Sequence, residues 1–209
     1  MAIPPARSYL LNSLSDLEML HVRAELTTHH DRQAMRLIER AEPGAYDPTL
    51  AIISDSDFKD GVIEAEIAGV LREDAPQDMR GFVGIAFHVQ PHGSQFECFF
   101  LRPTNARADN QLRRNHSTQY ISHPDYPWYR LRDETPGVYE SYADLVPGAW
   151  TTIKIVVSGI RAQLSINGAD QPCLIVNDLK LGETRGQIGL WMGAGSEAFF
   201  SKLVVKRTI

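Results

Sequence analysis

Between Arg113 and Arg132 the chain reads RRNHSTQYISHPDYPWYRLR, which brings arginines, histidines, tyrosines, a tryptophan and an aspartate into one segment. Histidine exchanges protons near neutral pH and tyrosine can protonate a leaving group, so His116, Tyr120 and His123 are candidates for acid-base chemistry, with His88 as a further proton carrier. Guanidinium forks hold carboxylates and other oxyanions, which nominates Arg102, Arg113 and Arg114. Aromatic planes cover the apolar face of a sugar ring, which nominates Trp128, Tyr126, Tyr129 and Trp191 as platforms. Glu64 and Glu66 alternate with Ile63, Ala65 and Ile67, so on a strand the two carboxylates share one face about 7 Å apart. Together these residue types suit a small polyhydroxylated or carboxylated ligand.

The segments that must position them read as β-strands. Met19–Leu26 and Gln33–Glu39 alternate in polarity and predict a hairpin across Thr27–Asp31, with His29 and His30 in a solvated turn. Leu50–Ile53 precedes the turn-rich SDSDFKDG, and Val62–Ala68 follows it. Asp55, Asp57 and Asp60 lack the spacing of a calcium loop and are read as turn chemistry; neither a metal nor a cofactor is expected. In Gly81–Gln90 the alternation predicts Val83, Ile85, Phe87 and Val89 in the core, and Phe82, Gly84, Ala86 and His88 on the opposite face. Glu64, Glu66, His88 and Trp191 are therefore expected together on a ligand-facing sheet surface. Gln95–Arg102 is apolar at both parities, which implies cover above and below, and its inner face is not assigned by pattern.

Residues 103–148 have little clean periodicity apart from a brief strand at Thr118–Ile121, and read as a long ordered insertion. A loop that doubles back would bring His116, Tyr120 and His123 around one pocket. Alternation returns in Trp150–Val157 and Arg161–Ile166, Asn167-Gly168 signals a tight turn, and Leu174–Leu179, Gly186–Met192 and Ala198–Lys206 close the series. Many strands at hairpin spacing predict an all-β, two-sheet antiparallel jelly-roll sandwich, a single domain over 1–209 with residues 1–18 as an N-terminal arm and 103–148 as the insertion at the site.

Composition narrows the partners. A formal net charge of −5 on 209 residues disfavours general attraction to phosphate backbones, so nucleic acid is not expected. No window approaches the ~20 apolar residues that a spanning helix needs, and the first residues lack a basic region followed by an apolar run. No membrane partner is expected, and the chain as given reads as cytoplasmic, or as secreted or periplasmic if a signal was removed. Cys98 and Cys173 sit among apolar neighbours and are expected to be unlinked thiols.

The strings FKDGVIEAEI, GFVGIAFHV, FECFFLRP, WTTIKIVVSGIRAQLSINGADQP and GQIGLWMGAGSEAFFSKLVV resemble the concanavalin A-like lectin/glucanase jelly rolls over about residues 55–206. Bacterial domains of the 3-keto-disaccharide hydrolase type are the nearest in pattern, and laminin G-like modules are more distant. The resemblance implies a carbohydrate or glycoside ligand on a sheet face. Laminarinase-type glucanases of this superfold carry a Glu-x-Asp-x-x-Glu strand, whereas here the string is Glu64-Ala65-Glu66-Ile67-Ala68-Gly69, with a Glu in the middle and no final acid. That departure argues against a retaining mechanism, whose two carboxyls must flank one bond. Three classes of function remain: cleavage of a glycoside by hydrolysis or elimination, non-catalytic sugar binding, and protein interaction of the laminin G-like type.

Overall fold

The computed structural model describes residues 6–40 and 48–208. Their strands are β1 (Arg7–Tyr9), β2 (Leu17–Leu20), β3 (Val22–His29), β4 (Arg32–Glu39), β5 (Leu50–Phe58), β6 (Gly61–Leu71), β7 (Val83–Val89), β8 (Phe96–Leu101), β9 (Thr118–His123), β10 (Glu140–Ser141), β11 (Thr151–Ser158), β12 (Arg161–Ile166), β13 (Leu174–Val176), β14 (Gly186–Met192) and β15 (Ser196–Arg207). One sheet runs β13-β12-β11-β6-β15-β4-β3, with β1 also on β15; the other runs β10-β9-β8-β7-β14-β5-β2. Every registered pair is antiparallel. The architecture is the all-β two-sheet sandwich that the alternation predicts.

The core lies between the sheets. Ile63 and Ile67 of β6, Ile153 and Ile155 of β11 and Phe200 and Leu203 of β15 meet Ile85 and Phe87 of β7, Phe99 of β8 and Leu190 of β14. Truncating a fully buried ring such as Phe200 to Ala costs about 3–5 kcal/mol, because lost transfer energy adds to the cavity left behind. A second apolar cluster forms on the outer face of the seven-stranded sheet, from Leu50, Ile52, Ala86, Val89, Phe96, Cys98 and Phe100. Its existence explains why β8 is buried at all six positions: odd positions pack inward, and even ones lie under the insertion.

The arm differs from expectation, since β1 joins β15 and β2 joins β5; residues 1–5 lie outside the described residues. SDSDFKDG is mostly strand, not turn, because Ser56 and Phe58 are buried and the Ser56 hydroxyl takes Ile188 N–H while donating to Ile53 O. Asp55 pairs with Arg7, Asp57 with Arg185 at 2.6 Å, and Asp60 accepts from Gly159 N–H at 2.7 Å. His29 is stacked on Phe199 at 4.0 Å and bonded to Gly148 O, so only His30 stands in a solvated turn. The insertion contains regular structure: α1 (Gln111–Arg114), β9, α2 (Trp128–Glu134) and β10. By pairing with β8 from Phe96↔His123 to Leu101↔Thr118, β9 extends the sheet and carries α1 and α2 to its outer face.

Candidate functional site

A cleft of about 590 Å³ opens above the outer face of the seven-stranded sheet, a volume in the range of small-molecule sites. Three adjacent strands make its floor. Gly84 of β7 stands opposite Phe100 of β8 and Trp191 of β14, and those two rings meet 4.7 Å apart. A Cβ at Gly84 would lie 2.4 Å from Phe99 O and 2.6 Å from Phe100 Cβ, so glycine is needed for this close approach. Phe96 adds a platform on which His123, its cross-strand partner on β9, stacks at 4.7 Å and 10°.

The walls come from the insertion and from residues 78–82. Pro127 fixes φ ahead of α2, whose buried Leu131 anchors it, while Trp128 and Arg132 project together at i and i+4. Two guanidinium groups approach the ring of Trp128, a residue 44% exposed: Arg132 at 4.8 Å and Arg102 at 5.7 Å from its centre. Arg102 is only 5% exposed; it covers Phe100 at 4.8 Å and donates through Nη1 to Gln119 Oε1 and His116 O. Burial, with repulsion from Arg132 and Arg80, pushes its guanidinium down to about 9, so it stays cationic at neutral pH. Arg113 reaches the cleft from α1, bonded to Asn105 Oδ1, and Tyr129 lines it beside Trp128.

His116 is the best-held proton carrier. Its Nε2 lies 3.1 Å from Glu140 Oε1, and Glu140 is gripped in turn by Arg132 through bonds of 2.6 and 3.0 Å. Burial, then Arg132 and Arg102, lower the imidazole pKa against the pull of Glu140, which leaves the ring neutral near pH 7. With Nε2–H donated to the carboxylate, Nδ1 carries the free lone pair, as a general base requires.

Of the residues nominated from sequence, the cleft gathers His116, His123, Arg102, Arg113, Trp128, Tyr129 and Trp191. Tyr120 is not among them: it is 0% exposed, faces the inter-sheet core, and donates from its hydroxyl to Glu97 Oε2 at 2.6 Å while accepting Lys180 N–H. An odd spacing on one strand puts Tyr120 and His123 on opposite faces. His88 is also 0% exposed, packed against Phe87 and Phe58 with Nε2–H donating to Lys59 O. Its positive φ of 53° breaks the alternation, so Val89 joins the outer cluster and not the core.

Glu64 and Glu66 share a face as expected, but on the other sheet, where they pair with Lys206 and Arg32. Arg114 lies over Tyr142 and Tyr126 lies under Arg130 and Lys180, and neither lines the cleft. Sequence reasoning missed Arg80, Glu39, Asp78 and Asn105 as lining residues, and Glu140 as the partner of His116.

No family model and no curated protein matches this chain. Solved structures do. A Bacillus subtilis protein of unknown function with a galectin-like fold aligns at TM-score 0.63 and 12% identity, over 99% of this chain and 97% of that one. A putative glycosyl hydrolase from Parabacteroides distasonis aligns at 0.61 and 10% over 98% and 100%. Bacillus licheniformis β-glucanase aligns at 0.55 and 12% over 98% and 99%. The chain has the concanavalin A-like jelly-roll fold.

Proposed function

We propose that this protein binds a saccharide in the cleft on the outer face of its seven-stranded sheet. The observation that carries the reading is the convergence of exposed ring faces and guanidinium donors on one volume: Trp128 and Trp191 supply planes, and Arg102 and Arg113 supply forks to ring oxygens. Two of the proteins that share the fold are a putative glycosyl hydrolase and a β-glucanase, which supports the ligand class by analogy of fold. Titration with glucosides and 3-keto-glucosides, followed by tryptophan fluorescence, tests it. Saturable binding that disappears in Trp128→Ala is expected; no binding by any saccharide overturns it.

A second reading, turnover of the bound glycoside, is favoured by the chain Arg132–Glu140–His116 at the cleft wall. In it, His116 takes or returns a proton through Nδ1, with Glu140 fixing the tautomer and Arg102 holding developing negative charge. Product release by the wild type that is lost in His116→Asn supports it. Binding without product makes the protein a sugar-binding module.

A further inference from the structure

The ionic balance of the cleft is lopsided. Four arginines line it, Arg80, Arg102, Arg113 and Arg132, against Glu39 and Asp78. Arg132 is neutralised by Glu140, and Glu39 is engaged by Arg72 at 3.6 Å. What remains is Arg80, Arg102 and Arg113 against Asp78 alone. Among the described residues none of those three arginines has a carboxylate within ion-pair distance. Their protein hydrogen bonds leave donors over: Arg102 uses Nη1, Arg113 uses Nε, and Arg80 uses Nη1 on Gln77 O and Met79 O. Burial and repulsion from Arg113 lower the Arg80 pKa, and Arg80 does the same to Arg102. A chain of net charge −5 thus concentrates mutually repelling cations in one hollow.

We infer that the cleft selects an acidic saccharide, one whose carboxylate is held by Arg102 with Arg80 and Arg113; this rests on the saccharide reading above. An anion relieves the mutual repulsion of these cations, and it accepts the spare N–H groups. The Arg102 guanidinium lies 4.8 Å from the centre of the Phe100 ring and 5.7 Å from that of Trp128, and its protein hydrogen bonds use Nη1 alone, which leaves the edge formed by Nε and Nη2 as a donor. That edge is a planar fork, matched in two coplanar hydrogen bonds by a planar carboxylate. The adjacent Trp128 and Trp191 planes then cover the pyranose ring that carries it.

Calorimetric titration with uronate oligosaccharides, the same oligosaccharides as methyl esters, and sulfated neutral oligosaccharides tests this. The free acid is expected to bind at least tenfold more tightly than its ester, with the preference shrinking as salt rises. Arg113→Gln, at an exposed position on α1, is expected to reduce that preference severalfold, because the acid loses more affinity than the ester; circular dichroism and Tm establish that the variant is folded. Equal binding of acid and ester overturns this inference and leaves the saccharide reading standing. Tighter binding of the sulfated ligand overturns the assignment to a carboxylate. Binding of none of the three overturns the saccharide reading, and this inference with it.

Discussion

His116 and Arg132 share one carboxylate: Glu140 lies 3.1 Å from the imidazole and takes a 2.6 Å bond from the guanidinium. The two halves of that arrangement are separable. His116→Ala removes one of two partners of Glu140 and leaves the carboxylate held by Arg132, so affinity or turnover should fall at least tenfold, about 1.4 kcal/mol, with a smaller change in Tm than Glu140→Gln causes. His123→Ala should behave alike through loss of its stack on Phe96. Glu140→Gln instead leaves Arg132 without its counter-charge, and because Arg132 is partly exposed the expected cost is about 1–3 kcal/mol. Denaturant unfolding beside binding measurements distinguishes them; a His116→Ala variant that unfolds while its folded fraction binds normally would show the histidine to be structural.

Fluorescence can assign the site to one sheet. Trp128 and Trp191 line the cleft, whereas Trp150 packs against His29 and Phe199 in the other sheet. Ligand-induced changes in emission should persist in Trp150→Phe and diminish in Trp128→Phe and Trp191→Phe. The opposite pattern places binding elsewhere.

Tyr120→Phe tests a residue whose chemistry looks catalytic in sequence but whose hydroxyl is fully enclosed. Deleting it leaves Glu97 and the Lys180 amide each short of a partner, and burial already raises the Glu97 pKa. Stability should fall by about 1–3 kcal/mol, with ligand affinity unchanged. Equal stability with weakened binding would contradict this placement.

Acid should weaken the fold through His88. Burial lowers its pKa below the ordinary value of about 6.5, so the unfolded chain takes the proton first as pH falls. The stabilising effect of a neutral His88 is complete above pH 6.5 and is lost as pH drops from there toward the folded pKa, at up to about 1.4 kcal/mol per pH unit. His88→Asn keeps a residue that tolerates positive φ and removes the titration. Its Tm should therefore depend less on pH between 7 and 5 than that of the wild type; identical slopes would exonerate His88.

Alkylation of the denatured protein without reductant should label both cysteines, since Cys98 and Cys173 are free. Under native conditions Cys173, half-buried, should react before the enclosed Cys98, whose thiol burial pushes well up. Mass spectrometry reads the order.

How far the site was legible depended on what a period-two pattern encodes. Alternation assigns a side chain to a face, and it did so correctly for Ile63, Ala65 and Ile67 against Glu64 and Glu66. It does not say to which sheet the strand belongs, and Glu64 and Glu66 proved to lie across the molecule from Trp191. It also fails where the backbone leaves the extended region, as at His88. In the insertion the residue types were informative but their geometry was not: a doubling loop could have gathered His116, Tyr120 and His123, whereas strand β9 divides them. Nothing local tied Glu140 to His116, because that contact depends on β10 pairing with β9.

The two-sidedness of β8 and β9 has an evolutionary side. On these strands Glu97, Phe99, Leu101 and Tyr120 point into the sandwich, while Phe96, Phe100, Ile121 and His123 line the cleft. Substitutions on the second set reshape the hollow while leaving the inter-sheet packing in place, so the lining of the hollow and the foldability of the chain can change separately. Chains only 10–12% identical that keep this architecture end to end are what such a division of labour permits.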